Sequence, residues 1–235
     1  MRTLAILPIK SFGAAKQRLS GLLGNGPRQA LAQAMFLDVL ASLRRVPGID
    51  AVAVVTADSD AEIAARRGGV HLLCDPHEAG QSAAAEIGIR HGLELGFERV
   101  LLVPGDTPLI ESGEIAMMLQ RAEEEGTAAV IVPDRHGTGT NALLLAPPEA
   151  MAPSFGPGSL ERHREAAARA GIDHRVEAVA SLMLDVDTPD DLTDLSAVLD
   201  ERRGQACMTR GALRQLDRTR VRPRVALAPA LRAQA

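Results

Sequence analysis

The stretch that most constrains the fold is Arg99-Val100-Leu101-Leu102-Val103-Pro104-Gly105-Asp106-Thr107-Pro108-Leu109-Ile110. A short, β-branched apolar run stops abruptly at turn residues, the pattern of a buried strand. The turn sets one carboxylate, Asp106, just past the strand's carboxyl end, and ligands of open α/β sheets bind at that edge. A lone Asp there can serve a hard cation and a phosphate. It can equally start the turn ahead of Pro108 and do nothing more. The rest of the chain has to decide between them.

Residues 3–9 form a near-continuous apolar run that suits a strand covered on both faces. Further strands are predicted at 51–56, 70–74, 128–134, 141–145, 174–179 and 181–187. Between them, apolar residues at helical spacing predict a helix over 27–46, which Pro47 and Gly48 stop. Asp58 or Ser59 caps a second helix through Arg67. Others are predicted over about 82–95, 111–125 and 160–170, and Thr188-Pro189-Asp190-Asp191 is a strong helix start. A Gly-rich loop, 135–140, joins two strands directly, so that part of the sheet is antiparallel or mixed. From 204 to 235 the periodicity fades, Arg accumulates and Pro223 and Pro229 interrupt. The expectation is one catalytic domain over 1–203 and an ill-ordered basic tail over 204–235.

Composition excludes several functions. With Trp and Tyr absent and Phe rare, the chain lacks stacking platforms for single-stranded nucleic acid. A net charge of -4 gives no bulk attraction to nucleic acid or an anionic membrane. Six His without HExxH or paired spacing argue against a zinc centre. No apolar run is long enough to span a bilayer, the N-terminus opens at once on a strand, and Cys74 and Cys207 lack any CxxC context. A cytoplasmic location with reduced thiols is expected.

Three constellations could carry chemistry. Lys10, Lys16 and Arg18 lie on the loop after the first strand, where they could meet a triphosphate, although the Walker pattern is missing and a solvated cationic loop is the plainer reading. Asp185 and Asp187, two apart on a predicted strand, would point to one face beside Asp106 and repel unless a cation lies between them. The three together would make an oxygen site for Mg²⁺; otherwise Asp187 neighbours a helix cap and Asp185 ends a strand. Thr138, Thr140, Gly156, Gly158 and Ser159 supply backbone N–H groups, hydroxyls and a helix N-terminus without a fixed carboxylate, which suits a small phosphorylated acid. Two loops with Gly for turn geometry would look the same. Gly80-Gln81-Ser82 also opens a helix with small polar residues, where a ligand can approach the backbone.

The segments Lys10…Ala15-Lys16-Gln17-Arg18-Leu19, Gly105-Asp106-Thr107-Pro108-Leu109, Asp134…Gly137-Thr138-Gly139-Thr140-Asn141, Phe155-Gly156-Pro157-Gly158-Ser159-Leu160 and Leu184-Asp185-Val186-Asp187-Thr188-Pro189-Asp190-Asp191-Leu192 occur in that order. In this the chain resembles the guanylyltransferases of coenzyme F-420 biosynthesis, which use 2-phospho-L-lactate or phosphoenolpyruvate. The resemblance runs from Thr3 to about Arg203. It implies a three-layer α/β/α sandwich with a mixed, mostly parallel sheet, of the nucleotide-diphospho-sugar-transferase type. It implies Mg²⁺ on Asp106, Asp185 and Asp187, and the phosphorylated acid on Thr138, Thr140, Gly156 and Ser159. The nucleotide, GTP, would be met by Pro8, Lys10, Lys16, Gly80, Ser82 and Gly105, with Lys10, Lys16, Arg18 and Asp106 catalytic. An ionised phosphate oxygen would attack the α-phosphate without a general base. The acid could be 2-phospho-L-lactate, phosphoenolpyruvate or 3-phosphoglycerate. The expected partners are these substrates and the next enzyme of the coenzyme pathway, and a homodimer is possible. Alternatives are a molybdenum-cofactor or sugar-phosphate nucleotidyltransferase of the same fold, or a non-catalytic nucleotide-binding regulator. The basic tail and the Gln81-Ser82 pair depart from the family pattern.

Overall fold

The computed structural model describes residues 1–202 and 204–221. Seven strands form one sheet: β1 (Thr3–Ile9), β2 (Ala51–Thr56), β3 (His71–Cys74), β4 (Arg99–Leu102), β5 (Ala129–Pro133), β6 (Thr140–Leu145) and β7 (His174–Val176), in the order β3-β2-β1-β4-β6-β5-β7. Among the described residues, only β6 runs antiparallel to its neighbours, β4 and β5. The sheet is therefore mixed and mostly parallel, as the direct β5–β6 connection predicts.

Alternation along the strands splits the core in two. Ala5, Leu7, Ile9, Val52, Val54 and Leu101 face one side, where they meet α1 (Asn25–Leu43), α2 (Ser59–Gly68) and α4 (Ser112–Glu125). Leu4, Ile6, Ala53, Val55, Val100 and Leu102 face the other, against α3 (Gln81–Glu94) and α5 (Ser159–Ala170). Both faces are covered, which is why the strands read as unbroken apolar runs. Asp58 caps α2 by accepting from the Asp60 and Ala61 N–H groups. Thr188 and Asp191 form a capping box at the start of α6 (Pro189–Glu201).

Strand order reverses between β1 and β4. Chain direction takes β2 and β3 to one side of β1, and β4 then crosses to the other. A crevice opens there beyond the carboxyl ends of the two strands, where open α/β sheets take ligands. Lys10 follows β1 and Gly105-Asp106 follows β4, so both expected loops reach this crevice. Gly105 is required by space: a Cβ on it would stand 2.4 Å from the Ile9 side chain.

Two expectations are corrected. Residues 181–187 are not a strand; a 3₁₀ turn, Ala180–Leu182, leads into a segment that pairs with no strand. Its backbone bonds go to loops instead: Arg135 N–H donates to Met183 O and Val186 N–H to Asp106 O. The sheet edge it might have joined is taken by β7.

The stretch after 203 does not lie outside the fold either. Residues Cys207–Val221 form α7, which packs on α1. Ala212, Leu213 and Leu216 cover a cluster of Leu31, Met35, Leu195 and Leu199. The buried Asp38 carboxylate on α1 accepts from Met208 N–H, Thr209 N–H and Thr209 Oγ1 at 2.7–3.2 Å. Arginines at 210, 214 and 218 mask an apolar stripe at helical spacing. The remaining part of the expected tail, 222–235, lies outside the described residues.

Candidate active site

Two adjoining cavities fill the crevice. One, of about 340 Å³, is lined by Pro8, Lys10, Lys16, Gly80, Gly105 and Asp106 among others. The second, of about 380 Å³, is lined by Arg18, Thr138, Thr140, Gly156, Ser159 and Asp185 among others. Gln81, Pro104, Asp106 and Asp187 line both. The residues expected to meet a nucleotide and those expected to meet an acid thus fall into separate cavities with carboxylates at the junction. Arg18 and Ser82 are the exceptions. Arg18, expected at the triphosphate, lines the second cavity and not the first. Ser82 Oγ accepts from Phe155 N–H at 2.9 Å, tying the start of α3 to the 154–158 loop, and Ser82 lines neither cavity.

Lys16 holds the junction. Its backbone is left-handed, with φ 55°, at the start of a short 3₁₀ turn. That turns the side chain inward, where Nζ donates to Asp106 and, at 3.0 Å, to Asp187. Burial pulls the lysine's pKa down, but the two carboxylates outweigh it and hold it above the ordinary value, so the ammonium stays charged. Arg28, a buried α1 residue, fixes the loop by donating to the carbonyls of Ala15 and Lys16 and to Asn25. Arg18 is exposed and reaches Asp187 at 3.7 Å, while Lys10 is exposed at the cavity rim.

Asp185 and Asp187 sit two apart on the extended segment, held by Val186 N–H on Asp106 O and by Asp191 accepting from Asp187 N–H. Burial and the neighbouring Asp106 raise the Asp185 pKa, against the Asn141 amide, which donates to its Oδ1 at 3.2 Å. Among the described residues no three Asp, Glu, His or Cys side chains converge into a metal cage. The cation between Asp106 and Asp187 is Lys16. Among the described residues, the buried Asp106 Oδ1 has no hydrogen-bond partner. An orphaned carboxylate oxygen beside a carboxyl of raised pKa fits a further cation at this junction.

The second cavity is built from two stiffened loops. Asp134 Oδ1 accepts from His136 N–H and Thr138 N–H, and these backbone bonds hold its pKa low against the opposing effect of burial. Across from it, Arg162 donates to Ser154 Oγ and to the carbonyls of Ser154, Phe155 and Pro157. Gly156 and Gly158 have φ of 109° and 70°, conformations that only glycine adopts without strain. Ser159 then starts α5 with its N-terminus at the cavity. Arg28, Asn141, Arg162 and His163 were not singled out from the sequence. Asn141 and His163 act on partners that tertiary folding brings to them, Arg28 on the loop before its helix, and Arg162 on the turn just ahead of it.

An α/β sandwich that brings a cationic loop, an acidic switch-point junction and a second pocket of glycines and hydroxyls together has the architecture of a nucleotidyltransferase. Solved structures share the fold. A Desulfovibrio desulfuricans structure of the nucleotide-diphospho-sugar transferase type superposes with a TM-score of 0.71 at 18% identity, covering 93% of this chain and 96% of that one. A CMP:2-keto-3-deoxy-manno-octonic acid synthetase complexed with CTP gives 0.58 at 15% identity, covering 86% and 99%. Sequence comparison then fixes the family. Residues 3–228 match the family described as "Guanylyl transferase CofC like", and the chain belongs to it. Phosphoenolpyruvate guanylyltransferase of Conexibacter woesei is 49% identical over 219 residues, covering 93% of this chain and 98% of that protein. The 2-phospho-L-lactate guanylyltransferase of Methanothermobacter thermautotrophicus is 34% identical, covering 83% and 84%. Among the described residues no helix is long and apolar enough to cross a membrane.

Proposed function

We propose that the protein transfers GMP from GTP to a small phosphorylated acid, releasing pyrophosphate, as a step of coenzyme F-420 biosynthesis. Phosphoenolpyruvate is the favoured acid, by likeness to the Conexibacter relative, with 2-phospho-L-lactate and 3-phosphoglycerate as the competitors to test. The observation that carries this reading is the shared acidic junction between two cavities, one lined by Lys10 and Lys16 and the other by Arg18, the hydroxyls of Thr138, Thr140 and Ser159, and Gly156 and Gly158.

In this reading Pro8, Lys10, Gly80 and Gly105 line the place of the nucleotide, and Lys16 and Arg18 face its phosphates. Thr138, Thr140, Gly156 and Ser159 take the phosphate and carboxylate of the acid, with the α5 N-terminus favouring negative charge. An ionised phosphate oxygen of the acid attacks the α-phosphorus, and the bond to the pyrophosphate oxygen breaks. The attacking oxygen carries no proton at neutral pH, so no side chain has to act as a base. The chain's contribution is to bring two anions together and to hold positive charge where the α-phosphate and leaving group gain negative charge. Lys16, charged and buried, is placed for that task.

Asp106, Asp185 and Asp187 would hold Mg²⁺, which supplies charge neutralisation and a template for the phosphates. Support comes from the unpartnered Asp106 Oδ1 and from the crowding of Asp185. The exposed thiols of Cys74 and Cys207 agree with a reducing cytoplasm, and the conjugate would pass to the next enzyme of the coenzyme pathway.

Pyrophosphate release tests the reading. With GTP and Mg²⁺, release should require one of the three acids and should not occur with a sugar phosphate. Release without any acid, or with the sugar phosphate alone, would overturn it.

A further inference from the structure

His163 is fully buried on α5, yet both of its ring nitrogens are engaged. Nε2 lies 2.8 Å from the Ser154 backbone nitrogen, and Nδ1 lies 2.9 Å from Thr140 Oγ1. The Phe155 ring stands edge-on at 5.3 Å. Burial, with the Arg162 cation adding to it, pushes the pKa down to about 4, so the ring is neutral near neutral pH.

A neutral imidazole has one N–H and one acceptor nitrogen. Ser154 N–H can only donate, so Nε2 is the acceptor and the ring proton sits on Nδ1. Nδ1–H then donates to Thr140 Oγ1. Thr140 receives a hydrogen bond from inside the protein and keeps its own hydroxyl hydrogen to give. Thr140 lines the second cavity beside Gly156 and Ser159. With the opposite tautomer, Nε2–H would confront Ser154 N–H, and Thr140 would spend its hydrogen on the ring.

We propose that His163 is a positioning residue: by fixing its Nδ1–H on Thr140 Oγ1, it commits the Thr140 hydroxyl to donate to an anionic oxygen of the acid. The proposal rests on the assignment of the second cavity to the phosphorylated acid. The same ring accepts from Ser154 N–H, at the head of the segment that carries Gly156 and Gly158 to that cavity.

The test is steady-state kinetics on wild type, Thr140→Val, His163→Gln, His163→Asn and the Thr140→Val/His163→Gln pair, with the acid varied at saturating GTP and the converse. Gln can place an acceptor near Nε2 for Ser154 but offers nothing at Nδ1; Asn can place an N–H near Nδ1 for Thr140. Thr140→Val should raise the acid's KM about tenfold to a hundredfold, the worth of a hydrogen bond to a charged group. His163→Gln should raise it severalfold, leave the KM for GTP unchanged, and add nothing once Thr140 is Val; His163→Asn should recover most of the loss. Multiplicative effects in the double variant, or an equal rise in the KM for GTP, would overturn the inference and leave the cavity assignment standing. No effect of Thr140→Val would overturn both. Should the variants fail to fold, ¹⁵N histidine spectra of the intact wild-type protein decide the tautomer. A protonated Nδ1 on His163 supports the inference and a protonated Nε2 refutes it.

Discussion

Replacing Lys16 by Met keeps the length of the side chain and removes the charge from the acidic junction. The lysine side chain is 7% exposed, against 26% for Asp106 and 45% for Asp187. Breaking a fully buried ion pair costs about 3–5 kcal/mol. Here one carboxylate is a quarter exposed and the other nearly half, so water screens part of the loss. Relief of the lysine's own desolvation offsets more. A net loss of about 1–2 kcal/mol follows, or roughly 2–8 °C in Tm for a domain of this size. Because the variant leaves Asp106 and Asp187 without this cation, added Mg²⁺ should recover more of its Tm than it adds to wild type. Turnover should fall about a hundredfold to a thousandfold if Lys16 also meets the charge on the α-phosphate. The assay is a thermal melt with and without Mg²⁺, paired with pyrophosphate release. A variant that melts like wild type, responds to Mg²⁺ like wild type and turns over normally would refute the role given to Lys16.

Three further outcomes are expected. Asp106→Asn should abolish turnover with little change in far-UV circular dichroism, and retention of most Mg²⁺-dependent activity would remove Asp106 from the site. Deleting 204–235 should lower stability by about 3 kcal/mol or more, because it uncovers Leu195 and Leu199 and strips the buried Asp38 carboxylate of three donors; an unchanged urea midpoint would contradict the packing of α7. His163 should make the protein acid-sensitive. Its folded pKa of about 4 lies below the ordinary value of 6.5, so the unfolded chain takes the proton first. Its contribution is complete above about pH 6.5 and is lost as pH falls toward about 4, by about 3 kcal/mol at most. Between about pH 7.5 and about pH 5, wild type should lose about 2 kcal/mol more in urea unfolding than His163→Gln, and parallel losses would count against a neutral buried ring.

What the sequence disclosed was local. The run ending at Gly105-Asp106 announced its strand and its edge, because apolar runs and turn residues act over a few positions. The capping box at Thr188–Asp191 and the Asp58 cap were legible for the same reason. The extended segment at 183–187 was not, since an apolar stretch with two Asp looks like a strand whether its backbone bonds go to a neighbouring strand or, as here, to Arg135 and Asp106. The α7 helix was hidden by its arginines, although Leu213 and Leu216 carried the signal. Lys16 was read as a residue facing a triphosphate, and its bonds to Asp106 and Asp187 depend on a left-handed backbone that no pattern announces. His163 could have been found as an apolar-face position, in step with Leu160 and Ala167 on α5, but its partners Thr140 and Ser154 emerge only from the fold.

The central claim is that an oxygen of the acid's phosphate attacks the α-phosphorus of GTP. Phosphoenolpyruvate labelled with ¹⁸O in the non-bridging phosphate oxygens tests it in one mass-spectrometric measurement with GTP and Mg²⁺. The account predicts a diphosphate-bridged conjugate of the acid and guanosine that retains the label, and pyrophosphate free of it. Labelled pyrophosphate, or no conjugate with any of the three acids, would contradict it.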